Sequence, residues 1–192
     1  MATRRSTKTQ PADAATDGAA NGKKGKQAPT RSGGLLVPNI GLTDQARGQV
    51  CDILNACLSN TFVLYTKTRN YHWNVTGIEF IQLHQLFEEQ YEQLDVAMDA
   101  IAERVRQVGG IAFGTLQEFK SAAKLGEQPG ERPNAVQMVR NLLDDHEAVI
   151  RQLRQDAETA DELKDVGTND FLTGLVQEHE KMAWFLRAHL ED

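Results

Sequence analysis

Cysteine is scarce in this chain of 192 residues, and so are the features that mark a secreted or membrane protein. The two cysteines, Cys51 and Cys57, lie six apart in one amphipathic segment, on different faces of a helix, so they are not placed to bond to each other. Two reduced thiols fit a cytoplasmic compartment. No apolar run approaches the roughly 20 residues that span a bilayer, and Arg4 and Arg5 are followed by no hydrophobic segment. No membrane partner is expected. Nor does any stretch show the strict alternation of a β-strand.

Large side chains are missing from the beginning. Residues 1–34 contain no aromatic and no large aliphatic residue apart from Met1, and they are rich in Ala, Gly, Thr, Lys and Gln, with Pro11 and Pro29. Such a segment buries too little apolar surface to offset its ordering entropy, so it reads as a disordered tail before a single domain over 35–192. Charge divides at the same point. The tail carries Arg4, Arg5, Lys8, Lys23, Lys24, Lys26 and Arg31 against Asp13 and Asp17, a net of +5, and the remainder holds 14 basic and 25 acidic side chains, a net of −11. A basic tail on an acidic body suggests non-specific contact with DNA phosphates, with enhanced solubility as the plain alternative. Nucleoid association would follow from the first.

What is abundant is helical periodicity. Thr43 is placed to cap a first helix in which Val50, Ile53, Leu54, Cys57, Leu58, Thr61, Phe62 and Tyr65 recur at three- and four-residue spacing, ending near Trp73. After Asn74-Val75-Thr76-Gly77, a second helix keeps step from Phe80 through Leu83, Phe87, Tyr91, Leu94, Met98, Ile101 and Val105 to Gly109-Gly110. A long connection follows, broken by Gly126, Pro129, Gly130 and Pro133, with room for a short helix over Leu116–Ala122. A third long helix is predicted from about Pro133, a residue suited to a first helical position, and a fourth over about Asn169–Leu190. Two hairpins joined by one long crossover predict an all-α, ferritin-like four-helix bundle with a short helix in the connection.

Several polar residues interrupt the second helix. His84 and Glu88 are one turn apart, as are Asp99 and Glu103, and His72 precedes the turn. Nitrogen and carboxylate donors of this kind suit iron and similar cations, including zinc or manganese. Fifteen residues of helix amount to about 22 Å, so His84 and Asp99 of one chain cannot meet on one ion. An antiparallel symmetry mate resolves this. The pairs His84 with Glu103 and Glu88 with Asp99 are centred on the same point, between Gln93 and Leu94, so one two-fold axis would level both. The plain alternative is a solvated acidic face.

His146 and His179 fall on the apolar phase of their helices and read as satisfied core or interface histidines. Neither His146-Glu147 nor His179-Glu180 extends to His-Glu-x-x-His, and no Glu-x-x-His pair of the intra-bundle di-iron type occurs.

Taken together, Tyr71-His72-Trp73-Asn74-Val75-Thr76-Gly77, Leu83-His84-Gln85-Leu86-Phe87-Glu88, Asp99-Ala100-Ile101-Ala102-Glu103-Arg104, Thr168-Asn169-Asp170 and His179-Glu180-Lys181 with Trp184 resemble the signature of the Dps family of miniferritins, over roughly Leu36 to Leu190. The resemblance implies ferroxidase activity, with iron oxidised by peroxide or oxygen and stored as ferric mineral. It implies that His72, His84 and Glu88 of one subunit bind iron with Asp99 and Glu103 of its two-fold mate, and that Trp73 quenches or relays oxidising equivalents. Where Glu88 stands, the family usually shows Asp. The resemblance further implies a hollow homo-dodecamer with acidic pores near Asp165 and Asp170, with Asp161 and Glu162 close by. The alternatives are a DNA-compacting nucleoid protein and a structural helical bundle with little iron chemistry.

Overall fold

The computed structural model describes residues 31–32 and 35–191. Most of the basic tail, including Arg4, Arg5, Lys8, Lys23, Lys24 and Lys26, lies outside the described residues, and so does the disorder expected of it. The first feature described corrects the expectation of no strand: β1 (Arg31–Ser32) pairs antiparallel with β2 (Leu35–Leu36). Each strand has two residues, too short for alternation to show.

Five helices follow: α1 (Asp44–Asn74), α2 (Phe80–Val108), α3 (Leu116–Ala122), α4 (Ala135–Glu162) and α5 (Val166–Ala188). Each boundary has a local cause. Thr43 Oγ1 accepts from the Ala46 N–H at 3.1 Å and starts α1. Gly109, at φ 97°, ends α2 in the left-handed conformation; a Cβ there would also sit 2.6 Å from Pro38 Cδ. Thr115 and Glu118 form a capping box on α3.

Two starts differ from the sequence reading. Helix α4 is capped by Asn134, which exchanges bonds with Gln137, so Pro133 sits outside the helix and not at its first position. Helix α5 begins at Val166, three residues before the expected Asn169, because Asp165 accepts from the Thr168 N–H.

The long helices pack as two antiparallel hairpins, α1 with α2 and α4 with α5, and these join through α1 on α4 and α2 on α5. Leu54, Leu64, Phe87, Leu94, Ile101, Leu142, Leu153, Leu172 and Leu186 are fully buried between them. Burying each such side chain stabilises by about 1.5–3 kcal/mol relative to exposure. Polar ties cross the hairpins. Lys67 Nζ meets Asp145 Oδ2 at 2.6 Å between α1 and α4, and Gln90 Nε2 donates to the Met182 carbonyl at 3.1 Å between α2 and α5.

Two buried asparagines of α1 hold the long connection. Asn55 bonds the Ile111 carbonyl and the Phe113 N–H, and Asn60 Oδ1 accepts from the N–H groups of Lys124 and Leu125. Phe62 stacks on Phe119 at 4.3 Å to seat α3 on α1. Cys51 and Cys57 are both free, and burial pushes the Cys57 thiol up to about 12, which makes it inert as a nucleophile at neutral pH. No helix among the described residues is long and apolar enough to cross a membrane.

Candidate metal centre

The turn between α1 and α2 sets His72 opposite His84. Val75 is buried and its N–H returns to the Tyr71 carbonyl at 2.8 Å, while Gly77 at φ 119° and the Phe80 N–H to Gly77 carbonyl bond reverse the chain. His72 Nδ1 then donates to the His84 carbonyl at 2.8 Å, and His84 Nδ1 donates to the His72 carbonyl at 2.9 Å. The rings stack 3.8 Å apart at 20°.

A carbonyl oxygen can only accept, so both Nδ1 atoms carry protons. In the neutral rings, both Nε2 lone pairs are therefore left for a cation. Fixing the tautomer through the other ring nitrogen is how a ligating histidine is oriented in metal sites.

Around this pair lies a set of aromatic rings and one cation. Tyr91 presents its ring edge-on to His72 at 5.2 Å and donates its phenolic O–H to Glu88 Oε1 at 3.3 Å. Burial, together with the charge and hydrogen bond of Glu88, holds the Tyr91 phenol above its ordinary pKa. The Arg69 guanidinium lies over Tyr91 at 4.8 Å, Trp73 at 5.6 Å and Tyr65 at 5.7 Å, and donates to the Tyr65 hydroxyl. Trp73 itself is 66 % exposed.

The structure thus brings His72 and His84 together and sets Glu88 one turn along from His84. It does not bring Asp99 and Glu103 to them. Both are exposed, farther along the continuous α2. Among the described residues, no three His, Cys, Asp or Glu side chains of one chain are grouped to hold a metal ion. Asp99 instead borders an open groove of about 530 Å³ whose apolar wall includes Leu58, Val96, Met98 and Phe119. Val96 in this wall is 71 % exposed.

The acidic pore residues separate into two groups. Asp165 is 5 % exposed and both its oxygens are engaged: Oδ1 accepts from Thr168 N–H and Arg104 Nη2, each at 3.0 Å, and Oδ2 accepts from Thr168 Oγ1 at 2.6 Å. Contrary to the expectation from sequence, this carboxylate is the cap of α5 and not a free pore group. Asp161, Glu162 and Asp170 are exposed, with Asp161 and Glu162 bordering an open groove of about 560 Å³ between α4 and α5.

His146 and His179 meet in the core, Nδ1 to Nδ1 at 2.9 Å, so one ring donates and the other accepts. Core placement matches expectation, but full satisfaction does not, because His146 Nε2 has no partner. Burial pushes His179 down to about 4 and His146 well below its ordinary value.

Three residues of consequence escaped the sequence reading as parts of a site: Tyr91, Arg69 and Arg104. Tyr91 at three residues beyond Glu88 was the readable signal, masked by its place in the apolar phase of α2.

The comparisons bear on the family and the fold. A sequence profile described as a ferritin-like domain matches residues 51–192. A low temperature-induced protein of Nostoc sp. is 50 % identical over 154 residues, covering 80 % of this chain and 86 % of that one. DNA protection during starvation protein 2 of Bacillus anthracis is 38 % identical over 143 residues, covering 74 % and 97 %. The Dps protein of Vibrio cholerae O1, described as a member of a broad superfamily of ferritin-like diiron-carboxylate proteins, superposes with a TM-score of 0.76 at 32 % identity, covering 81 % of this chain and 97 % of that one. Bundle, crossover, paired histidines and relatives converge: the chain belongs to the Dps family of ferritin-like proteins.

Proposed function

We propose that this protein takes up Fe²⁺, oxidises it at a site built from two copies of the chain, and stores the ferric product in a hollow shell, twelve copies being the assembly the family resemblance implies. The observation that carries the reading is the reciprocal bond between His72 and His84, which engages both Nδ1 atoms with the backbone and leaves both Nε2 atoms of the hairpin for a cation. Imidazole nitrogen with carboxylate oxygen, and no thiolate in the set, is a donor mix that Fe²⁺ accepts.

A second copy, with its α2 antiparallel, supplies Asp99 and Glu103. The apolar groove beside Asp99 is then covered by that copy, which also excludes water from the ions. In the reaction two Fe²⁺ each give one electron to hydrogen peroxide, the O–O bond breaks, and two hydroxides form beside two Fe³⁺. Oxygen is the other oxidant consistent with the site. The protein contributes ligands, orientation and confinement. Asp161, Glu162 and Asp170 are the carboxylates free to draw Fe²⁺ inward.

The test is anaerobic titration with Fe²⁺ followed by peroxide, on the wild type and on His72→Ala with Glu103→Ala. Stoichiometric binding and rapid oxidation in the wild type, lost in the variant at unchanged oligomer mass by light scattering, is the expected result. Equal oxidation in both defeats the site, and absence of binding in the wild type favours a purely structural bundle. Zn²⁺ and Mn²⁺ run in parallel decide whether the site prefers iron.

A second reading concerns DNA. The tail's net +5 against the body's −11 is a polarity that would hold phosphates at the tails alone, and twelve tails on one particle would multiply the contact. No tail feature reads bases, so the contact is non-specific.

A further inference from the structure

Where the long connection returns to the head of α4, it encloses a cavity of about 170 Å³ against the C-terminal third of α1. Lys67, Asn70 and Tyr71 line it from the helix, and Glu127, Glu131 and Pro133 from the connection. Its inner side is buried and polar: Lys67 is 6 % exposed and Tyr71 5 %. Both are held by α4. Lys67 Nζ donates to Asp145 Oδ2 at 2.6 Å, and the Tyr71 hydroxyl accepts from Asn141 Nδ2 at 2.9 Å. An ammonium has three N–H groups and a phenol keeps its own proton, so these bonds leave two N–H groups and one O–H to donate to a ligand. Asp145 neutralises Lys67 without lining the cavity. Glu127 and Glu131 are exposed, and neither is in an ion pair among the described residues. The cavity therefore offers buried donors on one side and two unbalanced negative charges on the other.

We propose that this cavity binds a free diamino acid of the lysine or ornithine kind, its carboxylate accepting from Lys67 and Tyr71 and its two ammonium groups meeting Glu127 and Glu131. Size and charge select that class. The volume holds about six waters at about 30 Å³ each, the scale of one small metabolite and below that of drug-sized ligands. A phosphate would face two carboxylates, and a divalent metal ion would face the Lys67 ammonium. A plain diamine would leave the buried Lys67 and Tyr71 donors without acceptors, which is costly. A diamino acid answers both sides at once. A bound ligand also joins α1 to the connection, so it stabilises the folded chain by mass action. Nothing in this inference depends on iron chemistry.

The experiment is calorimetric titration of the full-length protein with three probes: L-lysine, L-norleucine, which lacks the second ammonium, and 1,5-diaminopentane, which lacks the carboxylate. L-lysine should bind saturably, one per chain, and more tightly than either of the others by about 10-fold. Glu127→Gln with Glu131→Gln, both at exposed positions, should abolish the advantage over L-norleucine. Tyr71→Phe, which removes only the hydroxyl, should shrink the advantage over 1,5-diaminopentane and keep that over L-norleucine. No saturable heat at millimolar L-lysine, or an advantage that survives in the variant meant to remove it, overturns the proposal.

Discussion

Arg104 and Asp165 form the ion pair that ties α2 to the head of α5: Nη2 donates to Oδ1 at 3.0 Å, with Asp165 5 % and Arg104 21 % exposed. Arg104 Nε also donates to Thr168 Oγ1 at 3.1 Å, and Gly167 leaves the space, since a Cβ there would stand 2.8 Å from the guanidinium. Asp165→Ala removes the helix cap and strands a half-buried cation, so it should cost about 3 kcal/mol. Asp165→Asn keeps an acceptor for the cap and should cost roughly a third of that. Guanidinium unfolding at fixed protein concentration reads the difference; because both variants lose the charge, equal midpoints would show that the cap acceptor contributes nothing and that the loss comes from the ion pair.

The His146–His179 pair predicts an acid-sensitive core. Both folded pKa values lie below the unfolded value, so the unfolded chain binds protons that the folded chain refuses. Stability from the pair is full above about pH 6.5 and declines as pH falls, reaching for His179 a loss of about 3 kcal/mol near pH 4. Thermal midpoints of wild type and a His146→Leu/His179→Leu variant should therefore converge, or cross, as pH drops from 7 to 4. Parallel curves over that range would refute the coupling.

Deleting residues 1–34 isolates the DNA reading. Full-length protein should retard DNA at low salt and release it as salt rises, because each phosphate contact displaces condensed counterions. Protein beginning at Leu35 should not retard it at either salt. Equal retention by the two places DNA contact on the body.

The bundle was legible because its signals are local. Thr43, Gly109 and the apolar period of α2 each act within a turn or two, and they mark the boundaries observed. The start of α5 lies earlier than expected because Val166-Gly167 reads as linker although the Asp165 cap on Thr168 is local; what the sequence hides is that the same carboxylate is tied to Arg104, 61 residues away. The candidate centre divides in the same way between local and hidden signals. Residue types and spacing pointed to His72, His84 and Glu88, and the structure joins the first two. Tyr91 was hidden because an aromatic on the apolar phase of a helix packs whether or not its hydroxyl serves a carboxylate.

The bonds between His72 and His84 join residues only 12 apart, across one turn, and each ring is held by main-chain oxygen. Contacts of such short loop length close early in folding. Half of the candidate centre is consequently a property of the newly folded hairpin, present before any second copy or cation arrives. On the proposed reading, an incoming ion would find imidazoles already stripped of rotational freedom, and subunit pairing would bring the missing carboxylates to a rigid receiver.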